Sequence, residues 1–304
     1  MCIIMRKSFI LLFLFAIMLS GCRAQGSEDQ IKVYTRDGSS GTREAFESIA
    51  GIKSITHNSA ETTGNGDMAT QVGQAHNAIG YVSLATDFKG NGIKPLQYLG
   101  VLPSIDSVNQ GSYQLARPFS FVTRREGDYE SDEKQALVLA FLDYLNNSIE
   151  GKEIVLAAGG IVDVSKGVLW EDLKQNHPIV FRDNTDLVLK TGGSTSVEPT
   201  IKAAVESFIP MAGNFKYEPN HTGSGDGYKR TLGSEKSGAN HIDIGFASRK
   251  FKKEEPVSEG MTSGVYCMDA VVVVVNETNT LDDISPEQLQ QIFSGELSQW
   301  KDLV

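Results

Sequence analysis

Short apolar runs alternate along the chain with stretches in which apolar residues return every three or four positions, a pattern that predicts an α/β layered fold. IKVYT (31–35) reads as a strand opening into a turn, and Thr42 to Ala50 as the short helix after it. A second helix is expected from Asn65 in GNGDMATQVGQA, followed by AIGYVSLA (78–85) as a buried strand. SYQLARPFSFVTR (112–124) is a long strand whose Pro118 requires an edge position or a bend, because proline cannot donate to a ladder. Residues 132–158 carry helical periodicity and divide near Asn147 into two helices. PIVF (178–181) and LVLKT (187–191) read as strands around the turn RDNTD (182–186). Glu198 to Ala212 forms an amphipathic helix, with Pro199 in the first turn where its missing N–H costs nothing. AVVVVVN (270–276) is a strand apolar on both faces. The last helix opens at Ser285-Pro286, an N-cap followed by proline at the first helical position.

The N-terminal pattern is different. Arg6 and Lys7 precede an apolar segment from Phe9 to Leu19, too short to cross about 30 Å of hydrocarbon, so residues 1–21 read as a secretory signal. It ends in LSGC (19–22), which resembles a bacterial lipobox and makes Cys22 the expected lipid-bearing residue. CRAQGSEDQ (22–30) is polar and unpatterned, as a tether should be. The expected location is therefore outside the cytoplasm, anchored by lipid to the bacterial cell membrane. Past Cys22 the only cysteine is Cys267, which leaves no intrachain disulfide and no cysteine-based metal site. A net charge of −10 argues against nucleic acid and anionic membrane surfaces as partners. The five histidines show no metal spacing, GxxxxGK[ST] is absent, and TGSGDGY (222–228) has Tyr228 where a dinucleotide fingerprint needs its third glycine.

One device recurs. SSGT (39–42), GGSTS (192–196) and TGSGDG (222–227) each put glycine and hydroxyl residues at a loop entering a helix. The first helical turn has unpaired N–H groups and a partial positive charge of roughly half a unit. Glycine lets a ligand approach the backbone, and Ser or Thr adds a neutral donor, so each entrance suits an anion. An acidic protein can thus hold an oxyanion by oriented dipoles, with Arg36, six residues before Thr42, as counter-charge.

KTGGSTSVEPTIKAAVESF, NHTGSGDGYKR, IDIGFASRKF, MDAVVVVVN, ISPEQLQQIFSGELSQWKDL, YTRDGSSGTREAFE and NAIGYVSLA resemble successive blocks of the phosphate-binding proteins of bacterial phosphate ABC transporters. SYQLARPFSFVT and the stretch ending EGKEIVLAAGG resemble that family's closing blocks. Their order differs from the family's: there the GSTS block opens the mature chain and WKDL runs into the strand before the SGT turn. The order here resembles a circular permutation, with the old termini joined through roughly Asp163 to Thr185. The resemblance implies a two-lobed fold of the type II periplasmic-binding-protein class, hinged and without cofactor. One lobe is expected from 31–108 plus 280–304, the other from 112–276. It also implies a monomer that binds inorganic phosphate and delivers it to a membrane permease, with no catalysis. By the same carry-over, Arg36, Ser40, Gly41, Thr42, Thr195, Ser196, Ser224 and Ser248 contact phosphate. Two departures bear on selectivity. FASRKF places Ser248 and Arg249 where some members have an aspartate that accepts the proton of hydrogen phosphate, and Asp37 is displaced by one residue from the usual spacing. Asp37, Asp226 and Asp269 are the candidate acceptors. Sulfate, molybdate or phosphonate therefore stand as alternative ligands, and a phosphate sensor or adhesin as an alternative role. A serine hydrolase would need a base beside its nucleophile, and no GxSxG elbow is present.

Overall fold

A computed structural model describes residues 29–303, so the signal segment and Cys22 lie outside the described residues. The strands are β1 (Lys32–Arg36), β2 (Ala60–Thr62), β3 (Ala78–Ser83), β4 (Ile93–Pro95), β5 (Gln97–Tyr98), β6 (Ala116–Thr123), β7 (Val188–Gly193), β8 (Lys216–His221), β9 (Ile244–Ala247), β10 (Ser263–Asn276) and β11 (Asp283–Ile284). The helices are α1 (Gly41–Ala50), α2 (Asn65–Gln74), α3 (Ile105–Asn109), α4 (Asp132–Asn147), α5 (Ile149–Ala157), α6 (Trp170–Leu173), α7 (Glu198–Phe208), α8 (Ser224–Thr231) and α9 (Pro286–Ser294).

The main sheet runs β2-β1-β3-β10-β6-β9-β7-β8, with β4 also on β10. Its two ends are parallel: β1 lies between β2 and β3, and β7 between β8 and β9. The middle is antiparallel, through β3–β10, β10–β6 and β6–β9. Two apolar cores cover these ends. The first gathers Phe46, Tyr81, Val272 and Phe293 around β1, β3 and the second half of β10. The second gathers Phe141, Phe208, Leu189 and Phe246 under α4 and α7. This is the two-lobed α/β arrangement expected from the sequence. The chain passes between the cores within β6, between Ala116 and Phe119, and returns within β10, between Cys267 and Met268. Ala270–Val275, placed with the second lobe from the sequence, packs in the first core instead.

Most local expectations correspond to observed elements. Ser148 separates α4 from α5: its hydroxyl donates to the Tyr144 carbonyl at 2.6 Å and accepts from the Gly151 N–H at 2.8 Å. Ser285 and Gln288 form a capping box at α9. Pro118 stands before the pairing with β9 begins at Ser120, so β10 is its one neighbouring strand. The AVVVVVN strand is the end of a longer one, Ser263–Asn276, whose first half has exposed alternate positions and a bulge between Val265 and Cys267. PIVF is a correction. It forms a 3₁₀ turn, started by Pro178 and tied by the Asn184 amide, which donates to the Ile179 carbonyl at 2.8 Å. A short turn with its own side-chain anchor satisfies the backbone there without a sheet.

The two ends of the described chain lie side by side. The Ile31 N–H donates to the Ser298 carbonyl at 2.8 Å, and the Trp300 N–H to the Asp29 carbonyl at 2.9 Å.

Candidate functional site

The seam between the two cores is lined by the loops that the sequence singled out. After β1 the chain turns at Asp37–Ser40 and enters α1; the extended Ser40 caps it, its Oγ accepting from the Arg43 N–H at 3.3 Å. A hydroxyl that accepts can still donate outward. Gly41 follows, pressed against the opposite lobe: a Cβ built there would fall 1.9 Å from Ser224 Oγ and 2.8 Å from Ser248 Oγ. Only glycine permits that approach.

From the other side, β7 ends in Gly193, at φ +114°, and delivers Ser194, Thr195 and Ser196. Thr42 and Ser196 meet across the seam, Oγ1 to Oγ at 2.6 Å. Arg36 Nη2 donates to Thr195 Oγ1 at 3.3 Å. Ser194 donates to Ser248 Oγ at 2.9 Å, and Ser248 lies 3.3 Å from Ser224 Oγ. The Ser248 N–H donates to Ser224 Oγ at 3.1 Å. Arg36, Gly41, Thr42, Thr195, Ser196, Ser224 and Ser248 thus gather at one seam, and the hydroxyl of Ser40 begins the helix beside them.

Arg36 sets the electrostatics. It is fully buried, with Nε donating to the Thr62 carbonyl at 3.2 Å and Nη2 to the Thr63 carbonyl at 3.1 Å. Its nearest carboxylate is Asp37, at 3.6 Å. Nη1 is buried and has no hydrogen-bond partner. Burial pulls the Arg36 pKa down, against the pull of Asp37, and the charge of Arg117 adds to the lowering. A buried cation with one free donor is costly unless something negative arrives to accept from it.

The three aspartates differ. Asp269 pairs with Arg117 at 2.7 Å and accepts from Ser83 Oγ at 2.8 Å, deep in the protein. Asp226 accepts from Arg230 at 3.2 Å and from the Thr222 hydroxyl. Asp37 is partly exposed beside Arg36. Partial burial works to raise its pKa, but the Ser39 hydrogen bonds and the Arg36 charge hold it below the usual carboxylate value. It is the one candidate acceptor in contact with Arg36.

Sequence reasoning did not pick out Asn65, Ser194 or His221 as parts of the site. Asn65, in the first turn of α2, donates from Nδ2 to Ser196 Oγ at 3.2 Å. Its signal was present: TTGN (62–65) is a further glycine-and-hydroxyl entrance to a helix. His221, one of the five histidines without metal spacing, supports the GSTS loop from behind. Its Nδ1 faces the Ser194 carbonyl at 3.1 Å and its Nε2 the Thr191 hydroxyl at 3.1 Å. Among the described residues, no group of three or more His, Cys, Asp or Glu is placed to hold a metal, and no helix is long and apolar enough to cross a membrane.

Helix entrances from both lobes, interleaved hydroxyls and an unpartnered guanidinium nitrogen define a protein whose inter-lobe seam can hold a small anion. The model of the PBP superfamily domain matches residues 18–148 and 181–304, and the chain belongs to that family. It is 29% identical over 299 residues to the phosphate-binding protein PstS 2 of Streptococcus agalactiae, covering 94% of this chain and 93% of that one. It is also 29% identical to PstS 2 of Streptococcus pneumoniae serotype 4, with 92% and 90% covered. The crystal structure of a phosphate-binding protein of a phosphate ABC transporter from S. pneumoniae TIGR4 superposes with a TM-score of 0.66, at 26% identity. That superposition spans 90% of this chain and 100% of that one.

Proposed function

We propose that this chain is a receptor that captures inorganic phosphate between its lobes and delivers it to the permease of an ABC transporter. The observation that carries the reading is Arg36: a fully buried guanidinium whose Nη1 lacks a partner, surrounded by hydroxyls from both lobes. The phosphate-binding relatives, aligned over nearly the whole chain, support the choice of ligand. In this reading Arg36, Ser40, Gly41, Thr42, Thr195, Ser196, Ser224 and Ser248 contact the anion through side chains and helix-entrance N–H groups. Cys22 carries a lipid that holds the receptor at the outer face of the membrane. No cofactor enters, and the receptor acts as a monomer. Catalysis has little to work with here, since both ring nitrogens of His221 are taken by the Ser194 carbonyl and the Thr191 hydroxyl.

The permuted order is part of the proposal. The family match skips residues 149–180, which overlaps the expected join at 163–185, and residues 29–31 pair with 298–300. Alignment across nearly the full length of PstS 2 means that a relative shares the order. The lobes then comprise roughly 31–116 with 268–303, and 119–267, hinged within β6 and β10.

Titration calorimetry on the purified protein tests the reading. One phosphate site is expected, with Arg36→Ala weakening it at least about 100-fold, since the two N–H groups of Nη1 can each make a charge-assisted bond of about 1.5–3 kcal/mol. Unchanged affinity in that variant would remove Arg36 from the site. A second ligand reading rests on Ser248, which occupies the place of a proton acceptor and would serve sulfate equally. Asp37 answers it: ionised beside Arg36, it can accept the proton of hydrogen phosphate and repel sulfate, which has none to offer. Sulfate displacing phosphate at equal concentration would favour the second reading.

A further inference from the structure

Outside the anion seam, a second polar contact joins the lobes. Glu44 lies on α1, whose Ala45 and Phe46 pack in the first core. Arg249 and Lys252 follow β9, whose Phe246 packs in the second. Arg249 Nε stands 2.6 Å from Glu44 Oε2, an ion-pair contact off the N–H direction, and Lys252 Nζ stands 3.0 Å from Glu44 Oε1. Both Glu44 oxygens are therefore engaged by the opposite lobe.

Arg249 also has a partner on its own lobe. Its side chain is 8% exposed, and Glu255, on the same lobe, grips it with a two-pronged contact, Nη1–Oε2 at 2.6 Å and Nη2–Oε1 at 2.9 Å. The Lys252 N–H fixes Glu255 in turn at 2.9 Å. A planar guanidinium held this way loses little freedom when a second carboxylate arrives. Without Glu44, the group formed by Arg249, Lys252 and Glu255 has one positive charge in excess; with Glu44 it is neutral.

Placement ties this contact to the site. Glu44 is two residues beyond Thr42, and residues so spaced do not share a helix face. Arg249 directly follows Ser248. Neither charged group belongs to the hydroxyl cluster, yet each rides on the same rigid piece as a member of it. Lobe closure around an anion is a hinge motion, and any contact made only when closed biases that equilibrium.

We propose that Glu44 with Arg249 and Lys252 is an electrostatic latch that sets how long the closed lobes retain their anion, an inference that rests on the two-lobe receptor reading. Glu44 and its partners are positioning residues: they act on the lid-to-lid geometry and touch no ligand. Arg249 is buried but Glu44 is 38% exposed, so loss of one partner should raise dissociation by the modest amount of a partly solvated pair and change association less.

Release of radiolabelled inorganic phosphate, chased with unlabelled phosphate, reads the latch directly. Glu44→Gln should speed release about two- to fivefold, with the association rate within about twofold of wild type. Lys252→Gln, on an exposed loop, tests the same contact without touching α1 and should speed release about twofold. Raising salt from about 0.02 to 0.5 M should accelerate wild-type release more than that of Glu44→Gln, since screening of the pair is present only in the former. Small-angle scattering without ligand should show a larger radius of gyration for Glu44→Gln than for wild type. Unchanged release and unchanged scattering in Glu44→Gln would overturn the latch. So would tighter phosphate binding, which would mean that the Glu44 charge acts on the anion and not on the lobes. A wild type that fails to bind phosphate sinks the receptor reading alone, because the scattering comparison uses no ligand.

Discussion

His221 holds its ring between the Ser194 carbonyl and the Thr191 hydroxyl, and its dry surroundings favour the neutral imidazole. Burial is the main reason its pKa falls, to about 4 from an ordinary 6.5; the Ser194 carbonyl pulls the other way and the Arg230 charge adds to the fall. Because the folded pKa lies below the unfolded one, folding excludes a proton. The stabilising contribution is complete above about pH 6.5 and is lost as pH drops toward 4. Urea midpoints measured between pH 7 and 4.5 should fall for wild type, and His221→Gln, which cannot titrate, should fall less steeply. Equal slopes would mean that the ring does not bury its neutral form. Arg36 meets the same dry surroundings with a group that cannot give up its charge, and so depends on the Thr62 and Thr63 carbonyls and Asp37. At this scale the sequence was informative wherever a residue acts through its own neighbours. Ser40, Gly41 and Thr42 announce a helix entrance by type and order. His221 gave no such notice, because its partner Thr191 lies thirty positions away on the parallel neighbour β7.

The elements that join the lobes carry a buried ion pair. Arg117 on β6 and Asp269 on β10 are cross-strand partners, both about 1% exposed, with Arg117 Nη2 at 2.7 Å from Asp269 Oδ2. Ser83 on β3 supplies a hydroxyl to the other carboxylate oxygen. Desolvating two charges offsets most of their attraction, so the pair adds little net stability, but breaking it leaves a bare charge in the hinge. Asp269→Asn should cost about 3–5 kcal/mol in chemical denaturation, whereas Arg117→Met with Asp269→Leu together should recover most of that loss. A double variant as unstable as the single one would show that the pair is needed for more than neutrality. Elements were legible to the extent that they are local. The caps of α1 and α9 and the break at Ser148 follow from short-range hydrogen bonds that residue types reveal. PIVF misled because a four-residue apolar run has no period of its own, and the Asn184 anchor that settles it as a turn is a tertiary contact. The full length of β10 was hidden for a related reason: its first half alternates and its second half does not, so one strand looks like two segments.

Across the whole molecule, the site and the latch both depend on contacts between residues far apart in the chain. Glu44 and Arg249 show no sequence signal linking them, and the relation appears only when two lobes face each other. Residues 29–31 and 298–300, by contrast, were expected to adjoin from the resemblance in block order. The Ile31 N–H to Ser298 carbonyl and Trp300 N–H to Asp29 carbonyl bonds place those ends in hydrogen-bonding contact. A short flexible linker from Leu303 to Gln30 would therefore need to cross only a few residues' length. A chain rejoined there and reopened between the exposed Thr185 and Asp186, past the buried anchor Asn184, would have the block order that the proposed permutation reverses and keeps every element intact. It should fold to the same circular-dichroism spectrum, melt within a few degrees of wild type and bind phosphate within about threefold, since permutation at surface loops leaves the native contacts in place. Binding retained would establish that order along the chain is immaterial to the seam. A rearranged chain that folds and melts like wild type but binds no phosphate would show that the 149–187 connection contributes to the site, which neither its position nor its residues suggest. The outcome matters for the receptor reading because the anion senses only which helix entrances converge, and convergence is a property of the folded lobes.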